Sequence, residues 1–110
     1  MPRDPLDLLY GSLDLLVLRT LAWTPMHGYA IASWIQERTE GVLTIVDAAL
    51  YKALHRLERQ RLIDGEWGHT EQGKRAKFYR LTAAGRRALL EETSAWERYA
   101  AAVHRVLAPA

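Results

Sequence analysis

Four basic side chains recur at short steps in one segment of the 110-residue chain: Lys52, His55, Arg56 and Arg59. If that segment is helical, they fall within about a third of the helix circumference, with Tyr51 at the edge of the arc. Fifteen residues past Arg59, Lys74, Arg75 and Lys77 follow Gly73 in a second basic group. Guanidinium and ammonium groups are permanent donors near neutral pH and do not shuttle protons there. Their chemistry is charge-assisted hydrogen bonding to phosphates, carboxylates and base edges. Between Tyr51 and Arg80 there are eight basic residues and four acidic ones, in a chain whose formal charge is +2. The remainder therefore carries a surplus of acids, and the positive charge is confined to one region. Such a patch points to a polyanionic partner, although a solvated helix face and an exposed turn read the same way residue by residue.

Other chemistries find no support. His27, His55, His69 and His104 are scattered, with no metal-ligand spacing among them and nearby acids. No glycine-rich phosphate loop occurs, and no Ser-His-Asp set can be argued from spacing. The expectation is no catalytic residue, no metal and no cofactor. With no cysteine, disulfides and thiolate zinc sites are excluded, which suits a reducing cytoplasm. No apolar run approaches the roughly 20 residues of a membrane span, and Met1-Pro2-Arg3-Asp4 lacks the pattern of a secretory signal. The length suits one domain.

The elements that must position these residues follow from periodicity. A first helix begins at Asp4-Pro5 or at Ser12, with Asp7 as a first-turn acid in the former case, and runs to about Trp23. Its leucines surround it, so it needs two buried faces. After Thr24-Pro25 a second helix spans His27 to about Glu40, with Ile31 and Ile35 on one face and Gly41 ending it. Asp47 is the expected cap of a third helix, Ala48 to Gln60, whose core face is Leu50, Leu54 and Leu57. Then the period changes to two. Ile63, Gly65 and Trp67 form a strand, residues 68–75 a polar loop, and Ala76 to Leu81 a second strand with Tyr79 and Leu81 on one face and Phe78 on the other. Thr82 caps a last helix, Ala83 to about Leu107.

Three helices followed by a hairpin, mainly α with a β-hairpin wing, is the layout of a winged helix-turn-helix with a long C-terminal helix. The third helix fits a DNA major groove, and the basic hairpin suits backbone or minor-groove contact. Double-stranded DNA is the expected partner. A winged helix that binds protein instead is the competing reading, because fold does not fix function.

The segments His27-Gly28-Tyr29-Ala30-Ile31, Leu50-Tyr51-Lys52-Ala53-Leu54-His55-Arg56-Leu57-Glu58 and Lys77-Phe78-Tyr79-Arg80-Leu81-Thr82-Ala83-Ala84-Gly85, with the Trp67-Gly68 pair, resemble the PadR family of bacterial regulators. The resemblance covers essentially the whole chain, and the short length and single last helix resemble its compact subgroup. It implies a dimeric repressor, a winged domain over residues 1–82, a dimerising helix over 83–110, and relief by small, often aromatic compounds. It places Tyr51, Lys52, His55 and Arg56 on the recognition helix and Lys74, Arg75 and Lys77 on the wing. Three positions depart from the family pattern: Ala49 replaces a hydroxyl residue, Lys52 a proline and Arg61 a glycine. If the helix end before Arg61 needs a left-handed residue, arginine there costs roughly 1 kcal/mol.

Leu89, Thr93, Trp96, Ala100, Val103 and Leu107 fall at alternating steps of four and three along the last helix, an a/d-like seam. A second subunit or the first helix is the natural partner. Two roles fit Trp96: an interface anchor, or a stacking plate for a planar aromatic effector at the centre of a homodimer. Trp34 neighbours the Ile31/Ile35 face and Trp67 is expected to pack under the wing. Trp23 has no clear place.

Overall fold

A computed structural model describes residues 12–109. The elements are α1 (Leu13–Trp23), β1 (Met26–His27), α2 (Gly28–Arg38), α3 (Asp47–Arg59), β2 (Ile63–His69), β3 (Arg75–Leu81) and α4 (Ala83–Leu107). The helix start expected at Asp4-Pro5 lies outside the described residues; Ser12, the other candidate, is the N-cap position of α1.

Helix α1 is the hub, in contact with α2, α3, β3 and α4. Leu13, Val17, Leu18 and Leu21 are buried, and Leu15 and Leu16 are half-buried. Leu8 and Leu9, which also entered the expectation of two covered faces, lie outside the described residues. Thr20 is wholly buried and donates its hydroxyl to the Leu16 carbonyl at 2.8 Å, so no polar atom is left unpaired there. Ile31 and Ile35 from α2, Leu50, Leu54 and Leu57 from α3, and Ile63, Tyr79 and Leu81 from the sheet complete the core. Burying each aliphatic side chain of this set contributes about 1.5–3 kcal/mol.

The sheet has three antiparallel strands in the order β1-β3-β2. Strand β1 is an addition to the sequence reading: Met26 pairs with Tyr79 and His27 with Phe78. Two residues are too few to show a period. The hairpin strands are also longer than expected, because Gly68 pairs with Ala76 and His69 with Arg75. The polar composition of that stretch hid its ladder. The tip is therefore residues 70–74, where Thr70 donates to the Lys74 carbonyl and Gly73, at φ +83°, donates to Thr70.

Helix starts and ends have local causes. His27 caps α2 by accepting from the Ala30 amide, and is not itself the first helical residue. Val46, not Asp47, occupies the N-cap position of α3; Asp47 is the first helical residue, an acid at the positive end of the dipole. Both α2 and α3 close with the paired hydrogen bonds of a Schellman turn. Gly41 donates to Gln36 and Glu40 to Glu37; Leu62 donates to Leu57 and Arg61 to Glu58. Such turns need a left-handed residue, and Glu40 (φ 52°) and Arg61 (φ 60°) fill that role.

Thr82 caps α4 by accepting from the Gly85 amide at 3.0 Å, as the sequence indicated, and donates to the Arg61 carbonyl at 2.8 Å. Helix α4 then runs 25 residues, about 37 Å at 1.5 Å per residue, and Gly85 is its one fully buried residue. Among the described residues no helix is long and apolar enough to cross a membrane.

Arg61→Gly is expected to raise thermodynamic stability by roughly 1 kcal/mol, because glycine adopts the same turn without the Cβ penalty, less its greater freedom when unfolded. Chemical denaturation followed by circular dichroism checks this; a loss of stability would mean that the arginine side chain makes compensating contacts.

Candidate nucleic-acid interface

Helix α3 is strongly two-sided. Leu50, Ala53, Leu54 and Leu57 are buried, whereas Tyr51, Lys52, His55 and Arg59 are exposed. The core face anchors the helix along its length and leaves the other face to solvent. Tyr51 lies against the start of α2: a Cβ on the buried Gly28 would sit 3.8 Å from its ring.

Two of the expected cations are not free. Arg56 is half-buried and grips Asp14 of α1 with two parallel hydrogen bonds, Nε to Oδ2 at 3.0 Å and Nη2 to Oδ1. The Asp14 hydrogen bond holds the guanidinium more firmly protonated than usual, against a smaller opposing effect of burial. Lys77 donates from Nζ to Glu58 Oε1 at 2.9 Å. That hydrogen bond likewise raises the lysine pKa. The stem of Lys77 crosses Gly65, where a Cβ would lie 2.2 Å from the lysine Cε. A side chain at this position would displace the lysine tip from its present path to α3. Below it, burial pushes the Tyr79 phenol up, and Lys77, 5.5 Å from its ring centre, opposes that shift.

On the wing, Lys74 and Arg75 are exposed. Trp67 does not pack under the wing as expected: it is 58% exposed, with the Arg75 guanidinium 4.4 Å above its ring. Its parity with Ile63 gives the correct face, but burial along that face is lost by the position of Trp67. Asp14, Glu58 and Gly65 are the residues that sequence reasoning missed. Their partners are 42, 19 and 12 positions away, and no local pattern announces them.

A second concavity lies beside α3. An open groove of about 1280 Å³ is walled by α1 (including Asp14 and Leu15), by α3 (Ala49, Lys52, Arg56) and by α4 (Trp96, Tyr99, Ala100, Val103). Trp96 and Tyr99 lie 6.0 Å apart, ring to ring, tilted at 42°. Of the expected seam, Leu89 packs on the core and Thr93, Ala100 and Val103 are half-buried, while Trp96 and Leu107 are exposed. Trp34 is half-buried against the core beneath Arg38, and Trp23 is exposed. Among the described residues no group of three or more His, Asp or Glu is placed to hold a metal.

The family model of the transcriptional regulator PadR-like family matches residues 17–91. An uncharacterised protein of Lysinibacillus sphaericus is 33% identical over 90 residues, 82% of this chain and 83% of its own length. The crystal structure of a PadR family transcriptional regulator from Eggerthella lenta is 32% identical and superposes with a TM-score of 0.81, covering 96% of this chain and 90% of that one. A transcriptional regulator from Clostridium thermocellum is 27% identical with a TM-score of 0.81, over 90% of this chain and 93% of that one. A PadR family regulator from Clostridium difficile is 28% identical with a TM-score of 0.77, over 89% and 100%.

Asp14→Asn is expected to release Arg56 and remove a carboxylate from its side. Binding to a random-sequence duplex should tighten, and its salt dependence should steepen by about one phosphate contact. Fluorescence anisotropy across a salt series measures both. An unchanged slope would show that Arg56 cannot reach DNA even when freed.

Proposed function

The chain belongs to the PadR-like family of transcriptional regulators, and from that membership we propose that it acts as a homodimeric, ligand-responsive repressor bound to an inverted-repeat operator. The family makes it a DNA-binding regulator and not an enzyme. In this reading residues 1–82 bind DNA and residues 83–110 dimerise, in one compact unit in the cytoplasm, where its DNA partner is.

The observation that carries the proposal is the distribution of unpaired charge. Lys52, His55 and Arg59 stand exposed on α3, and Lys74 and Arg75 on the wing, while two of the acids beside them, Asp14 and Glu58, are engaged in internal ion pairs and Asp47 in the first turn of α3 stays exposed. Exposed cations thus stand on both α3 and the wing, as phosphate binding requires. Tyr51, Lys52, His55 and Arg59 meet the major groove directly. Arg56 and Lys77 serve first to fix α1 and the wing against α3, and reach DNA only by leaving their acids. Dimerisation is supported by α4, which exposes Leu90, Trp96, Tyr99, Val106 and Leu107 to solvent in the single chain. A second copy is the natural cover for such a helix. Effector binding is supported by the groove under Trp96 and Tyr99, whose opposite wall is the recognition helix. A flat ligand there gains stacking of about 0.5–1.5 kcal/mol beyond area burial. It relieves DNA binding if it favours a dimer whose two α3 helices no longer match the groove spacing.

Selection from a random duplex pool is expected to return an inverted repeat with half-sites about one helical turn (~34 Å) or a multiple apart. His55→Ala should alter preference among selected sites by about 1–3 kcal/mol per lost base contact. Replacing Lys74 and Arg75 with alanine should weaken all sites alike and flatten the salt slope. An asymmetric site occupied by one subunit sinks the dimeric reading, and binding insensitive to salt favours a protein partner instead.

Planar aromatics such as phenolic acids and flat dyes are expected to change tryptophan fluorescence and to release DNA, and Trp96→Ala should abolish both effects. Binding that survives the substitution makes Trp96 an interface anchor alone.

A further inference from the structure

The register of the hairpin sorts its residues onto two faces. Ile63 pairs with Leu81, Gly65 with Tyr79, Trp67 with Lys77, and His69 with Arg75. Paired residues in an antiparallel ladder share a face, and successive pairs alternate, so these four pairs all lie on the same side of the sheet. Burial falls steadily along that side. Ile63, Leu81 and Tyr79 are in the core, Lys77 is half-buried and tied to Glu58 in the last turn of α3, and Trp67, His69 and Arg75 are exposed. The face thus leaves the core, passes the end of the recognition helix and continues out along the wing.

Three arginine or lysine side chains near this path have defined partners, and they differ in kind. Arg56 and Lys77 are each neutralised by a carboxylate. Arg75 rests on an indole, and among the described residues none accepts a hydrogen bond from its guanidinium. A ring neutralises no charge and takes the place of no carboxylate, so the guanidinium keeps donors for an anion. Tryptophan is the strongest neutral platform for such a contact. Arg75 is therefore held in place without being discharged. The same contact accounts for a tryptophan standing 58% exposed on a hairpin that needs no further core.

We propose that Trp67 is a positioning residue for DNA binding: its indole is the shelf that holds the Arg75 guanidinium on the inner face of the wing, aimed at the sugar–phosphate backbone that runs between the recognition helix and the wing. The proposal rests on the reading of the wing as a DNA contact. Lys77, one pair closer to the core, fixes the spacing of the wing from α3 through Glu58, and the Trp67–Arg75 stack carries the ordered surface one step outward. Arginine has many rotamers when free in solvent, so a shelf removes in advance part of the ordering that phosphate binding requires.

The experiment compares the full-length protein with Trp67→Leu, Trp67→Phe, Arg75→Ala and the Trp67→Leu/Arg75→Ala double variant. The probe is a fluorescein-labelled random-sequence duplex of about three helical turns, titrated by anisotropy over a salt series. Thermal melting of each variant shows that it is folded. Trp67→Leu is expected to weaken binding roughly two- to five-fold, the range of an exposed cation–π contact. It should also move the salt slope toward that of Arg75→Ala, and it should add nothing in the Arg75→Ala background. Trp67→Phe should recover most of the affinity, because a phenyl ring still offers a face to the cation. If Trp67→Leu and Arg75→Ala add, the indole acts on DNA by itself and the shelf is wrong. If Arg75→Ala weakens binding while Trp67→Leu leaves affinity and slope unchanged, the shelf is again wrong and the wing contact stands. If Arg75→Ala changes neither, the wing reading fails, and the proposal fails with it.

Discussion

A Cβ placed on Gly85 would sit 2.0 Å from the carbonyl oxygen of Leu62, a distance no side chain can occupy. That close approach of α4 to the corner after α3 organises the molecule. The same Leu62 carbonyl accepts from the Thr82 amide, and the Thr82 hydroxyl donates to Arg61 while capping Gly85. The end of the recognition helix, the first residue of the wing, the last residue of the wing and the start of the long helix are thus joined at one point. Arg61 accepts a left-handed backbone to make the corner. This joint couples the direction of α4 to α3, and α1, packed on both helices, also connects them.

The electrostatics follow a consistent division. Two acids beside the basic face of α3 are matched internally, Asp14 by Arg56 and Glu58 by Lys77, while Asp47 in its first turn stays exposed. Both pairs are partly solvated, so their direct contribution to stability is small. Their larger consequence is geometric, since one ties α1 to the middle of α3 and the other ties the wing to its last turn. The cations that remain exposed then define the positive surface. Gly65 eases this arrangement, because the lysine tip crosses the space where a side chain would be.

Helix α4 is almost entirely outside the core of its own chain. The described residues extend 56 × 30 × 20 Å, with a radius of gyration of 15.3 Å against about 13 Å for a compact chain of this length. The elongation comes with the projecting helix and its exposed aromatic and aliphatic residues. The groove it forms with α1 and α3 is amphipathic: Trp96, Tyr99 and Val103 on one side, Asp14, Lys52 and Arg56 on the other. The Arg56–Asp14 pair thus borders both the groove and the recognition helix, so the two sites share side chains and are not merely neighbours.

The sequence by itself determined the helices, the existence of the hairpin, the two-sidedness of α3, the basic wing, the cap at Thr82 and the family. Each is written in local signals: the leucine period at 50, 54 and 57, the alternation from Ile63, a hydroxyl before Gly85, and contiguous motifs. The resemblance also flagged Arg61, which stands where the family has glycine, and the turn there is left-handed, at φ 60°. Tertiary structure decided which cations are available. Arg56 and Lys77 look the same as Lys52 and Lys74 in sequence, yet their charge is met by acids brought close by packing. It also decided the exposure of Trp67. Alternation assigns a residue to a face, but whether that face is covered depends on what packs against it. A side chain's availability depends on what lies across from it in space, and that is set by chain segments far away in sequence.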